Sequence, residues 1–176
     1  MTLDVESSTV VGSIVFSDLV GFTEYNGAVG DAAALALLDA QSRLVDDVLR
    51  ACSEARLVKE IGDGLMLWFR SPADAVRCSL AILAAVERAR ADDEFPLAVR
   101  MGGHHGPAIA RGDDLVGQTV NIAARISDLA GPGELLVSDE LIGACPELSA
   151  RTHPLGAAQV KGVDQPIWLH RLTPGQ

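Results

Sequence analysis

The sequence predicts an α+β fold: a ferredoxin-like βαββαβ sandwich, continued at its C-terminal end by a further helix and strands. Three observations carry this. Apolar runs of strand length alternate with long segments whose apolar residues recur at helical spacing. A tight Gly62-Asp63-Gly64 turn joins two consecutive strand-like runs and supplies the ββ step. The order of the elements then reads β-α-β-β-α-β, and a length of 176 residues suits one domain with one sizeable core.

Residues 1–10 are polar and are expected to form a flexible N-terminus, with the folded domain over residues 11–172 and a short tail over 173–176. Gly12 to Phe16 reads as the first strand, ending at Ser17-Asp18. Asp31 to Ala51 carries Leu35, Leu38, Leu44, Val45, Val48 and Leu49 at helical spacing, with Asp31 placed to cap the start. Leu57 to Ile61 and Leu65 to Phe69 are the hairpin strands. Ser71-Pro72-Ala73-Asp74 combines a capping residue, a first-turn Pro and an early acid, so a helix runs from there to about Arg90. Leu97 to Met101 and the segment around Pro107 to Ala110 read as a strand pair interrupted by glycines. A third helix covers Gly117 to Ala130 and stops at Gly131-Pro132-Gly133. Glu134 to Val137 is a strand, Ser138 to Ile142 a short helical piece, and Thr152 to Leu172 alternates turns and short strands.

A formal charge of −10 argues against a nucleic-acid partner, because binding a phosphate backbone needs a basic face. It does not exclude a nucleotide. Cys52, Cys78 and Cys145 lack metal-ligand or redox spacing and read as small buried apolar residues of a reducing cytosol. The N-terminal stretch has no basic region before a long apolar run, and no run is long enough to span a bilayer. A cytoplasmic protein with no membrane partner is expected. His104 and His105 are adjacent on a strand, so they point to opposite faces and read as structural; Trp68 and Trp168 read as packing residues.

The chemistry sits in two short acidic segments, FSDLVGFT from Phe16 and KEIGDG from Lys59. Each places one carboxylate, Asp18 or Asp63, where an apolar strand enters a Gly-containing turn. Two such carboxylates can hold two divalent cations, as metal-assisted phosphate chemistry requires. Singly, a helix-cap Asp and a turn Asp would be ordinary; together with Lys59 on the flanking strand they point to a triphosphate. The backbone from Leu19 through Gly21, Phe22 and Thr23 offers N–H groups to phosphate oxygens, and Gly21 permits close approach. Asn121 and Arg125 are four apart on the third helix and share a face, where an Arg fork could meet a phosphate.

These segments, with Asp114-Leu115-Val116-Gly117-Gln118-Thr119-Val120-Asn121-Ile122-Ala123-Ala124-Arg125, resemble the class III adenylate and guanylate cyclase catalytic domain from about Val11 to Leu172. The resemblance implies the class III cyclase fold and conversion of a nucleoside triphosphate to its 3′,5′-cyclic monophosphate and pyrophosphate. It implies two divalent cations, Mg²⁺ or Mn²⁺, on Asp18 and Asp63, and adds Leu19 to the metal-binding positions. Asn121 would orient the ribose, Arg125 would stabilise the transition state, and Lys161 would contact the terminal phosphates. Lys59 and Asp114 match the base-selecting positions. A donor-only Lys and an acceptor-only Asp complement adenine, whose N1 accepts and whose N6 amine donates. Guanylate cyclases typically carry Glu and a small residue there, so ATP is the expected substrate.

The resemblance further implies a head-to-tail homodimer with two shared sites, one copy supplying Asp18 and Asp63 and the other Lys59, Asp114, Asn121, Arg125 and Lys161. One departure is the short Arg111-Gly112-Asp113 connection, where many members carry a longer arm. The alternatives are a guanylate or dual-specificity cyclase, and a catalytically silent nucleotide-binding signalling module. A diguanylate cyclase would need a GG(D/E)EF-like turn, and none is present.

Overall fold

The computed structural model describes residues 8–174. Its elements are β1 (Ser8–Leu19), α1 (Phe22–Val29), α2 (Asp31–Leu49), β2 (Ala55–Ile61), β3 (Gly64–Phe69), α3 (Pro72–Ala91), β4 (Val99–Arg111), β5 (Asp114–Val116), α4 (Gln118–Leu129), β6 (Leu135–Ser138), α5 (Asp139–Gly143), a 3₁₀ turn (Pro146–Arg151), β7 (His153–Ala158) and β8 (Ile167–Leu172). One sheet runs β2-β3-β1-β4-β6-β8-β7, with β5 paired to the end of β4. Its β2-β3-β1-β4 portion, antiparallel throughout, is the expected sandwich order. β6 joins it in parallel, and β8 and β7 extend it.

Strand alternation divides the core. Leu65, Leu67 and Phe69 face α2 and α3 in the main core, while Met66 and Trp68 point to the opposite face with Ile14, Ala108 and Ala123 of α4. β6 repeats the pattern: Leu135 and Val137 belong to the main core and Leu136 packs under α4 with Ile122 and Ile126. The sheet is therefore covered on both faces, and α4 lies alone on the face that carries the acidic motifs' side chains.

The structure corrects four readings. Ser8 to Val10, expected within the flexible N-terminus, already belong to β1 and pair with β4; residues 1–7 lie outside the described residues, as do 175 and 176 of the tail. α2 is capped not by Asp31 but by Gly30, at φ 85°, which leaves Asp31 as the first helical residue, where its charge meets the positive end of the helix. The interrupted strand pair over residues 97–110 is one continuous strand, β4. Its glycines are contact points for α4 rather than breaks: a Cβ at Gly102 would stand 2.0 Å from the backbone nitrogen of Ser127, and one at Gly106 2.9 Å from Thr119 Oγ1. Finally, Cys52 and Cys78 are joined as a disulfide between the α2–β2 turn and α3, because both side chains enter the same buried layer; Cys145 remains a free buried thiol.

Most of the remaining expectations hold locally. Ser71 caps α3, accepting from the Asp74 N–H at 3.3 Å. His104 and His105 diverge as a strand requires, His104 bonding Ser138 Oγ at 2.7 Å and His105 bonding Ser13 Oγ at 2.9 Å, and burial lowers the pKa of both. Trp68 packs against the cluster of Ile14 and Met66 as expected, but Trp168, also read as a packing residue, is 59% exposed on β8. Among the described residues no helix is long and apolar enough to cross a membrane.

Gly102→Ala tests the α4 contact. The added methyl meets backbone, which cannot rotate away, so the helix must lift. A loss of about 1–3 kcal/mol in urea-melt stability is expected; a melt identical to wild type would refute the close approach.

Candidate active site

Asp18 is the penultimate residue of β1, and register places it opposite Arg100 on β4. The guanidinium reaches Asp18 Oδ2 with Nη2 at 2.7 Å and Nε at 3.1 Å. Asp63 sits in the turn between β2 and β3, where Gly62 adopts φ 63°. Pairing of Ser17 with Leu65 brings that turn alongside Asp18. The Asp63 carboxyl lies beside Asp18 and near the N–H groups of Asp63 and Leu19. Burial first, and then the Asp18 hydrogen bond and charge, push its pKa up from 3.8 to about 6. The predicted carboxylates therefore come together, and Asp18 lines a pocket of about 270 Å³ with Phe16, Ile61, Ala124, Ser127 and Asp128 among others.

After Leu19 the chain turns into α1. The Val20 N–H is committed to the Ala98 carbonyl at 2.8 Å, and Gly21, Phe22 and Thr23 lead on into the helix. Gly21, at φ 79°, is the N-cap of α1, and Phe22 and Thr23 begin the helix with N–H groups that have no intrahelical acceptor. This helix was not foreseen: none of its residues is buried, so no apolar period marks it.

Lys59 and Asp114 come together as predicted. Lys59 Nζ lies 2.8 Å from both oxygens of Asp114, and Asp114 Oδ1 also accepts from the Leu115 N–H at 2.8 Å. The Lys59 hydrogen bond holds the Asp114 carboxyl below its ordinary range. A β-bulge makes the meeting possible. Leu57 pairs with Leu67 but Lys59 pairs with Met66, so Val58 is the extra residue. Without it Lys59 would share the face of Leu57, toward α2 and α3. With it, Lys59 shares the face of Met66, where β5 begins. Arg56, donating to the Asp113 carbonyl at 2.8 Å, ties β2 to the short β4–β5 turn.

Asn121 and Arg125 line a second pocket, of about 490 Å³, together with Gln118, Ala124, Lys161 and Gly162. Lys161 reaches it from the turn before β8, anchored by buried Val160, whose carbonyl accepts from the Val163 N–H at 3.1 Å. The predicted residues thus fall into separate groups within one chain. Asp18 and Asp63 stand on one side of α4, Asn121, Arg125 and Lys161 on the other, and Ala124 touches both pockets. Arg100 and Asp128 were missed. Arg100 lies 82 residues from Asp18, and only strand register joins them.

Comparison with known proteins agrees with this layout. Residues 4–173 match the model of the adenylate and guanylate cyclase catalytic domain. An uncharacterized protein of Mycobacterium tuberculosis is 35% identical over 166 residues, covering 94% of this chain and 42% of that protein. A pH-sensitive adenylate cyclase of the same organism is 30% identical over 167 residues, covering 93% of this chain and 41% of the relative. The chain therefore spans less than half the length of these relatives. The adenylyl cyclase CyaB of P. aeruginosa superposes with a TM-score of 0.87 at 22% identity, over 97% of both chains, which establishes the shared fold. The matched residues, the sheet order and the strand-end carboxylates together make this chain a member of the adenylate and guanylate cyclase catalytic-domain family.

Proposed function

We propose that this domain converts ATP to 3′,5′-cyclic AMP and pyrophosphate at a site shared between two copies arranged head to tail. The observation that carries this reading is the division by α4. Asp18 lines one pocket with the Asp63 turn alongside it, while Asn121, Arg125 and Lys161 line another, and a second copy would bring both sets onto one triphosphate.

Asp18 and Asp63 fit a pair of divalent cations. They are hard oxygen donors side by side, and burial together with the neighbouring Asp18 raises the Asp63 pKa, which a bound cation would offset. Two Mg²⁺ or Mn²⁺ ions there would acidify the ribose 3′-hydroxyl and neutralise the departing pyrophosphate. The chain supplies the rest. N–H groups of Gly21, Phe22 and Thr23 receive phosphate oxygens at the start of α1. From the other copy, Arg125 stabilises charge growing on the α-phosphate, Asn121 orients the ribose and Lys161 holds the terminal phosphates. Lys59 donates to adenine N1 and Asp114 accepts from the N6 amine. The nucleotide substrate argues for a cytoplasmic setting.

The pH dependence follows from Asp63. Its folded pKa lies above its unfolded value, so the stability it contributes is complete below about pH 4 and lost as pH rises toward 6. A cation requires the ionised form. Mn²⁺ affinity of the nucleotide-free protein should therefore fall about tenfold per unit as pH drops below 6, with proton release on binding. Calorimetry in buffers of different ionisation enthalpy measures both; an affinity flat from pH 7 to 5 would contradict the assignment.

The function itself is tested by a cyclic-nucleotide assay with ATP and GTP, each with Mg²⁺ and Mn²⁺. Cyclic AMP as the main product supports the proposal. Dominant cyclic GMP would make this a guanylate cyclase, and no product with either nucleotide would make it a silent binding module.

A further inference from the structure

The metal-side and phosphate-side groups of one chain touch through a single ionic chain: Asp18, Arg100, Asp128 and Arg125. We propose that Asp128 is a positioning residue that couples the two shared sites, restraining Arg125 for one site until Asp18 is engaged in the other. The inference rests on the shared-site reading above and extends it.

Asp128 uses three oxygens toward two guanidiniums. Its carbonyl accepts from Arg100 Nη1 at 3.0 Å, its Oδ1 lies 3.9 Å from Arg100 Nη2, and its Oδ2 lies 3.4 Å from Arg125 Nη1. Arg100 is the switch point because its tighter partner is Asp18, at 2.7 Å and with both side chains less than a third exposed. Asp128 and Arg125 are 58% and 50% exposed, so their contact is the weaker and more easily exchanged one. Asp128 is three residues beyond Arg125 on α4, close enough to restrain it without touching the reacting atoms. It also lines the Asp18 pocket, yet among the described residues no third acid joins Asp18 and Asp63 as a metal cluster. Its role there is to carry countercharge.

When Asp18 gives its carboxylate to a divalent cation, Arg100 loses its principal partner. The next carboxylate within reach is Asp128, already beside it. Asp128 drawn to Arg100 turns away from Arg125, and that guanidinium is released toward the pocket it shares with Asn121 and Lys161. Loading of one site thereby readies the cation that serves the other.

The experiment is a Mn²⁺ binding isotherm on the nucleotide-free protein, read from the paramagnetic resonance of free Mn²⁺, for wild type, Asp128→Asn, Asp128→Glu and Asp18→Ala. Asp128→Asn denies Arg100 its alternative anion, so Arg100 stays on Asp18 and Mn²⁺ affinity falls about two- to fivefold. Asp128→Glu keeps the charge and restores the wild-type isotherm. In cyclase assays the coupling predicts sigmoidal Mn²⁺ activation for wild type and hyperbolic activation for Asp128→Asn. An Asp128→Asn isotherm superimposable on wild type, or an Asp128→Glu protein as impaired as Asp128→Asn, overturns the coupling role. Asp18→Ala separates the two levels of the argument: full Mn²⁺ binding without Asp18 would bring down the metal site itself, whereas loss of binding there with an unchanged Asp128→Asn isotherm would bring down only the coupling.

Discussion

Asp18→Ala and Arg125→Ala proteins are each expected to lose cyclase turnover by about a thousandfold, and an equal mixture of the two to regain about a quarter of wild-type activity. The single losses follow from the roles proposed. Asp18 is a strand-end carboxylate beside Asp63, and among the described residues no third acid joins the two as a metal-binding group. Arg125 faces the pocket lined by Asn121 and Lys161, where charge would build on the α-phosphate. The recovery follows from α4 lying between the two groups. In a mixed dimer one site inherits both defects and the other neither. Random pairing makes half the dimers mixed, each with one intact site of two. The measurement is turnover after co-refolding or co-expression with distinguishable tags, with mixed dimers purified through both. Purified mixed dimers as inactive as their parents would show that each chain must complete its own site.

Lys59→Glu combined with Asp114→Gly should move the preference from ATP toward GTP, by about 10²–10⁴ in the ratio of kcat/KM values. The native pair offers one donor and one acceptor, matching adenine; the double variant offers an acceptor to the N1 and N2 donors of guanine and clears space for O6. Each reversed contact is worth about 1–3 kcal/mol, and the two read the same ring edge. The fold should tolerate the change, because Lys59 and Asp114 are more than a third exposed and their ion pair contributes little to stability. Competition assays with both nucleotides, alongside a thermal melt, give the answer. A melt like wild type with an unchanged ATP:GTP ratio would remove Lys59 and Asp114 from base selection.

Much of the fold was legible because periodicity and punctuation agree within each element. Ser71-Pro72 marks the start of α3, Gly62-Asp63 closes the β2–β3 hairpin, and α4 ends before Gly131. What could not be read are features set by contacts between distant segments. Gly102 and Gly106 look like strand breakers alone and become intelligible only once α4 lies across them. The disulfide of Cys52 with Cys78 depends on how α2 and α3 pack, which no spacing encodes. In the site, the motifs bring Asp18 near Asp63 and place Asn121 beside Arg125. The bulge at Val58, which turns Lys59 to the correct face, has no composition of its own. Arg100 and Asp128 are ordinary charges in the sequence and acquire meaning only through register and helix placement.

The Lys59–Asp114 contact has one more consequence. These two residues satisfy each other, so on the proposed reading the groups that would recognise the purine are already paired with one another. An arriving ring must break that handclasp and replace both halves of it. A heterocycle presenting only one complementary atom would strand a charge, so the contact would act as a filter before any phosphate is engaged.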